Sequence, residues 1–200
     1  MTITYRPELS FYATLHWQMV NGQPAVHGLS ATYIEQAPTS LDNGWLYASV
    51  GDTYSGLKPI GLGLDQASGR LVGLEFWFEC YHTEDGFRYE LCVFTDPRGA
   101  NPFQFHTVDV SRNGYLGVYS AAKPAAGCKK GRSGPLWALE GLNPWMLEGG
   151  EKVRDVTLVS AQGGRVRRSM ENYFPYLKDN HGHDTLFTVQ IANDGKRRPW

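Results

Sequence analysis

Asn and Gly stand side by side at 21–22, 43–44 and 113–114, and Asp85-Gly86 and Gly163-Gly164 extend the series. Each pair borders a stretch rich in aromatic and β-branched residues. Glycine lacks a Cβ and asparagine tolerates the left-handed region, so such pairs supply the positive φ angles that tight hairpin turns require. Five signals of this kind predict an antiparallel, all-β protein. At 200 residues the chain is expected to form one domain over 1–200, long enough to bury a core without metal or disulfide staples. A single antiparallel β-sandwich of jelly-roll type is the leading architecture, and a closed β-barrel is the second, because both are built from many short strands with turn punctuation.

Strand-like runs fall at 10–19, 25–34, 45–50, 70–82, 87–95, 103–110, 115–120, 153–161, 164–170 and 185–192. The clearest hairpin runs from Leu74 to Phe94. Closing it on Asp85-Gly86 as a two-residue turn sets Phe78 opposite Val93, Cys80 opposite Leu91 and His82 opposite Tyr89, all on one apolar face. The other face then carries Trp77, Glu79, Tyr81 and Thr83, a mixture that predicts partial cover by another element. Cys80 and Cys92 fall on opposite faces in this register and are not expected to bridge. Helix signals are thin. Pro144 suits a first turn over 143–146 that Gly149-Gly150 would stop, and residues 171–178 predict another short turn interrupted by Pro175. A long Gly, Pro and Lys loop is expected at about 120–150, with a mobile basic tail at 194–200.

The chain opens Met1-Thr-Ile-Thr-Tyr-Arg-Pro-Glu8, without the basic start and apolar run of a secretory signal, and no run approaches the ~18 apolar residues of a membrane helix. Cys80, Cys92 and Cys128 show no zinc spacing, and an odd count fits a reducing compartment. A soluble, cytoplasmic protein is the default expectation, with secretion by a route that needs no signal peptide as the alternative. Net charge is −1, unevenly spread. Residues 1–100 hold five Lys/Arg against eleven Asp/Glu, whereas residues 101–200 hold fourteen against nine. A basic face for an anionic partner is one consequence such an asymmetry would have.

Two groups of side chains are candidate sites. With Asn21-Gly22 as a two-residue turn, His16 faces His27 at a Cβ separation of roughly 4.5–5.5 Å, close enough for two imidazoles to share a metal ion. His181 and His183 form a second pair on one face of a strand leading into Thr185–Ile191. If the fold joined the pairs, the four rings would bind a divalent metal, the one cofactor this sequence suggests. The second group is the segment Gly127–Trp137. It lacks the spacing and the Gly-Lys-Ser/Thr ending of a phosphate loop, and no base and orienting carboxylate stand out for a nucleophilic triad. Lys129, Lys130 and Arg132 instead read as a basic loop beside Trp137 and Trp145, cations for an anionic group and rings for stacking on a sugar. Arg165, Arg167 and Arg168 would extend the basic surface. Glu75 and Glu79 are too far apart along a strand for glycosidase chemistry, while Glu79 and Glu90 approach as diagonal neighbours across the hairpin.

No reaction is written in these motifs. The leading expectation is a non-enzymatic recognition module, lectin-like or surface-binding, with a glycan or small anionic ligand as partner rather than nucleic acid. The alternatives are a small-molecule enzyme with a cavity inside its β scaffold, and a toxin or toxin-neutralising protein acting through a protein or membrane interface.

Overall fold

A computed structural model of the protein describes residues 2–19, 21–34, 44–48, 69–94, 101–120, 134–171 and 174–193. Among them the only regular elements besides short 3-10 turns are strands, arranged as two antiparallel sheets in an open β-sandwich that does not close into a barrel. No helix among the described residues is long and apolar enough to cross a membrane.

The larger sheet contains β1 (Thr4–Tyr5), β2 (Phe11–Trp17), β6 (Phe76–Thr83), β7 (Gly86–Val93), β8 (Thr107–Val110), β9 (Leu116–Tyr119), β10 (Ala138–Glu140), β11 (Lys152–Val159) and β15 (Phe187–Ile191). Its order is β10-β11-β15-β2-β6-β7-β8-β9, with β1 also pairing β6. The second sheet contains β3 (Ser30–Ile34), β4 (Leu46–Tyr47), β5 (Gly69–Gly73), β12 (Arg167–Glu171), β13 (Phe174–Lys178) and β14 (His183–Asp184), in the order β14-β12-β13-β4-β3-β5. One pair of reciprocal bonds joins Tyr89 to Trp137, each 2.8 Å, so the start of β10 also touches β7. A single bridge pinches the sheet there without a ladder that would close it.

Period-two alternation explains the core. Phe11, Ala13 and Leu15 of β2, Phe76, Phe78 and Cys80 of β6, and Phe187, Val189 and Ile191 of β15 all point into one cluster. Phe11 stacks on Phe78 with ring centres 4.8 Å apart. The opposite face of the hairpin is covered too, where Trp77, Cys92 and Phe94 form a separate buried cluster with Tyr12 against it. Cys80 and Cys92 therefore lie on opposite faces, and both are free thiols. Burial pushes the Cys80 thiol up to about 12, which makes it an inert core residue.

The turns differ from expectation, one in position and the others in length. In the β6–β7 hairpin Thr83 pairs with Gly86 and the turn residues are Glu84 and Asp85. The Thr83 hydroxyl accepts from the Asp85 N–H and donates to the Gly86 carbonyl, fixing this turn. Phe78 thus meets Leu91 and Cys80 meets Tyr89, each two residues from the expected partner, while Phe78, Cys80, Leu91 and Val93 are buried together as expected. His82 is exposed opposite Phe87.

After β2, Met19 N–H bonds the Gln23 carbonyl and Gly22 N–H bonds the Met19 carbonyl, leaving three residues between the closing pair. Gly22 sits at φ +73°. The same pattern recurs at Ser111–Tyr115 and Ser160–Gly164, with Gly114 and Gly163 at positive φ. This is the three-residue hairpin in which a type I turn is followed by a left-handed residue.

Three further expectations are corrected. Residues 174–178 form β13 instead of a helical turn; Pro175, second in the strand, has no backbone N–H to pair, and its carbonyl accepts from the Ala48 N–H at 2.9 Å. The stretch expected as a loop at 120–150 contains the strand β10, while the 3-10 turn at Pro144–Met146 falls where the short turn over 143–146 was expected. Residues 121–133 and the tail 194–200 lie outside the described residues. Asn43-Gly44 is not a two-residue link between β3 and β4, since eleven residues separate Ile34 from Leu46, and Asn43 itself lies outside the described residues. Gly44, at φ +86°, bonds Thr32 and Val118, and an added Cβ would lie 2.6 Å from the Val118 carbonyl oxygen.

Candidate functional site

One short turn displays aromatic surface outward. Asn143 is extended and its side-chain oxygen accepts from the Trp145 N–H at 3.2 Å, while Pro144 supplies the fixed φ of a first turn. Pro144 and Leu147 are buried and act as anchors on either side of the residues between them. Trp145 and Met146 are consequently raised into solvent, 58% and 73% exposed.

Other elements converge on Trp145. The Arg6 guanidinium lies 5.4 Å from the indole centre, a cation–π contact worth about 0.5–1 kcal/mol at an exposed site. Arg6 is held in turn by its N–H bond to the Cys80 carbonyl (2.8 Å) and by Glu8 at 2.6 Å. Its own backbone N–H and the Arg6 guanidinium keep the Glu8 carboxyl below the usual range, so this pair stays charged at neutral pH. Phe87 packs edge-on at 6.2 Å from Trp145, and His82 lies 5.2 Å from Phe87. The result is a shelf of Trp145, Phe87, His82, Met146 and Arg6 assembled from four separate stretches of chain. Trp145 is a binding candidate of the sequence that the structure leaves exposed; its neighbours, distant along the chain, carry no such signal in the sequence.

Trp137 is different. It is fully buried and its indole N–H donates to the Val108 carbonyl at 3.1 Å, so it is a core residue and cannot stack on a ligand. Lys129, Lys130 and Arg132 lie outside the described residues.

The histidine expectation fails on geometry. The three-residue turn pairs Trp17 with Ala25, so His16 does not oppose His27. His16 Nδ1 bonds the Ala25 carbonyl and Nε2 bonds the Thr14 hydroxyl, both at 2.9 Å. A carbonyl only accepts, so Nδ1 carries the proton and the Nε2 lone pair is taken by Thr14. Neither nitrogen remains for a metal. Burial, outweighing the Ala25 bond and helped by Lys152 and His27, holds His16 below its ordinary pKa and therefore neutral. His181 lies in a bend rather than a strand, and His183 is exposed in β14. No group of three or more His, Cys, Asp and Glu converges among the described residues.

His181 belongs to a polar group that the sequence did not announce. Lys178 Nζ donates to Glu171 Oε1 at 2.7 Å and to His181 Nε2 at 3.1 Å, and lies 3.7 Å from the centre of the Tyr115 ring. Glu171 also accepts from the hydroxyls of Tyr115 and Ser169. Burial alone would raise the Glu171 carboxyl, but donors from Lys178, Tyr115 and Ser169 bring it down to about 2. Burial alone would lower the Lys178 ammonium, and Glu171 and Tyr115 raise it instead. A protonated, fully bonded amine is no nucleophile. This group ties β12 and β13 to the end of the β8–β9 turn.

The arginine trio is likewise divided. Arg165 pairs with Glu140 at 3.1 Å, Arg167 with Asp184 at 3.0 Å, and Arg168 lies over Trp17 at 4.3 Å. Glu79 and Glu90 are directly opposed in the hairpin rather than diagonal, and Tyr81 donates to Glu79 at 3.0 Å. Compared with models of known protein families, with curated proteins and with solved structures, the chain matches none.

Proposed function

We propose that the protein is a non-enzymatic recognition module that binds a glycan on the shelf around Trp145. The observation that carries this reading is the display of Trp145 on a turn whose two neighbours in the core, Pro144 and Leu147, hold it outward. A Trp free to move would fold down onto the apolar surface; one fixed in solvent is already in its bound position, which spares ordering cost on binding. The ring offers an apolar face to the C–H face of a sugar, and Arg6 and His82 stand beside it as hydrogen-bonding partners for hydroxyl or acidic substituents. Lys129, Lys130 and Arg132 would add affinity for acidic glycans.

The test is titration of the protein with neutral, carboxylated and sulfated oligosaccharides, read by indole fluorescence and calorimetry. Trp145→Ala should abolish saturable binding while lowering stability by no more than about 1 kcal/mol, the worth of its contact with Arg6. Acidic glycans should bind more weakly as salt rises, and this dependence should flatten when Lys129, Lys130 and Arg132 are replaced together by Ala. The reading is wrong if no glycan saturates the wild-type protein, or if Trp145→Ala binds as well as wild type.

A further inference from the structure

A recess of about 340 Å³ lies at the tip of the β6–β7 hairpin, walled by the hairpin turn, the start of β10 and the Ser160–Gly164 turn. It is separate from the shelf. Phe87 belongs to the shelf, and alternation turns the next residue of β7, Arg88, to the opposite face of the hairpin, where it borders the recess.

The hairpin turn supplies both charges. Arg88 Nη1 donates to the Asp85 and Phe87 backbone carbonyls at 3.2 and 3.0 Å. The guanidinium is thereby anchored through one nitrogen, and no described residue accepts from Nε or Nη2. These two donors form the side-on fork that a carboxylate meets with two parallel bonds. The Asp85 carboxylate stands on the same turn, exposed and bonded to no described residue. Neither charge is in an ion pair with a described residue, so each keeps a place for a charged group from outside.

The rest of the wall carries no charge. Leu136, Val159 and Ala161 give it apolar side chains. Its two hydroxyls are occupied. That of Thr83 spans the hairpin turn, and that of Ser160 donates to Asp179 Oδ2 at 2.9 Å and accepts from the Gly164 N–H at 3.2 Å. One cation and one anion on a single turn therefore share a small space with an apolar wall.

We propose that this recess binds a free α-amino acid with an aliphatic side chain. Carboxylate, ammonium and side chain branch there from one carbon atom. The carboxylate meets the Nε and Nη2 edge of Arg88, the ammonium meets Asp85, and the side chain lies against Leu136 and Val159. A simple anion would add its charge to that of Asp85, and a simple amine would add its charge to that of Arg88. The volume stands at the small end of ligand pockets, roughly 300–1,000 Å³, which suits one amino acid rather than an oligosaccharide.

Three analogues of L-leucine each delete one part: isocaproate lacks the ammonium, isoamylamine lacks the carboxylate, and glycine lacks the side chain. Calorimetric titration of the full chain should show saturable binding of leucine and binding at least about tenfold weaker for each analogue. Asp85→Asn should bind leucine and isocaproate alike, and Arg88→Gln should bind leucine and isoamylamine alike. Trp145→Ala should bind leucine as wild type does, which keeps failure here distinct from failure of the glycan reading. Because Arg88 Nη1 also supports the turn, its variant is compared by melting temperature; if it does not fold, Asp85→Asn and the analogues on wild type decide the matter. The proposal is overturned if leucine does not saturate the wild-type protein at millimolar concentration, or if any analogue binds as tightly as leucine. It is also overturned if Asp85→Asn keeps the preference for leucine over isocaproate, or if Trp145→Ala loses leucine binding.

Discussion

The β6–β7 hairpin and the hairpin that follows β2 use similar turn chemistry in opposite surroundings. The first lies in the middle of the larger sheet, with β2 and β1 on one side and β8 on the other, and most of its side chains are buried on both faces. The second ends in a tip where Asn21, Gly22, Gln23, Val26 and His27 are all exposed, Val26 to 77%. In the first, each strand is held by neighbours and by rings such as Phe11 on Phe78, so packing sets which face is buried. In the second, the turn alone sets the register. Turn length then decides the identity of every facing pair, because one residue more or less moves each side chain to the other face.

The sharpest way to break this comparison is at Phe78. Its truncation to Ala should cost ~3–5 kcal/mol, measured by urea unfolding, as for other fully buried aromatic residues. A loss below about 1 kcal/mol would mean that packing does not hold the hairpin in register, and the contrast with the exposed tip would fall.

A smaller effect is expected at the tip. Gly22 has φ +73°, and a Cβ added there would meet nothing within 4 Å. Gly22→Ala should therefore cost only the left-handed conformation, roughly 1–2 kcal/mol, with Gly22→Asn costing less. A loss as large as that of Phe78→Ala would show that the tip carries packing as well as register.

The smallest effect is a pH dependence at His16. Its folded pKa lies below its ordinary value of about 6.5 because the ring is half-buried. Above pH ~6.5 the imidazole is neutral in both states and its contribution to stability is complete. As pH falls below that value the unfolded chain takes up a proton before the folded one does, so stability declines until the folded pKa is passed. The stability difference between wild type and His16→Gln, followed from pH 8 to 5, should shrink on acidification. A difference that is flat or grows would show that His16 is not buried as a neutral ring.

The same contrast explains what was legible in the sequence. Alternation of Phe76, Phe78 and Cys80 against Leu91 and Val93 identifies the buried face, and a turn displaced so that partners shift by two leaves that face unchanged. At the tip the displacement is by one, and the facing of His16 and His27 is lost. The turn that carries Trp145 was recognisable because Pro144 marks its start. Arg6 and Phe87 beside it were not, since only strand order brings them there. Tyr115 belongs to a different hairpin from Glu171 and Lys178, and Pro175 reads locally as a break rather than as part of the strand that carries Lys178 inward. The left-handed backbone of Asp155, at φ +58°, has no local signature, since its cause is a register shift against β15.

The position of β15 has a consequence for how the molecule is made. Residues 187–191 insert between β11 and β2, with Phe187 beside Trp17 and Ile191 beside Ala13. A ribosome releases β2 and β11 before it has made the strand that belongs between them. Until then a growing chain presents two open strand edges and the apolar side chains of Phe11, Leu15 and Val156, which is a template for wrong partners. The larger sheet cannot be completed during synthesis of its first 180 or so residues. Folding is therefore a late event that must join distant segments, and for the nascent protein the period before β15 emerges is when a chaperone matters most.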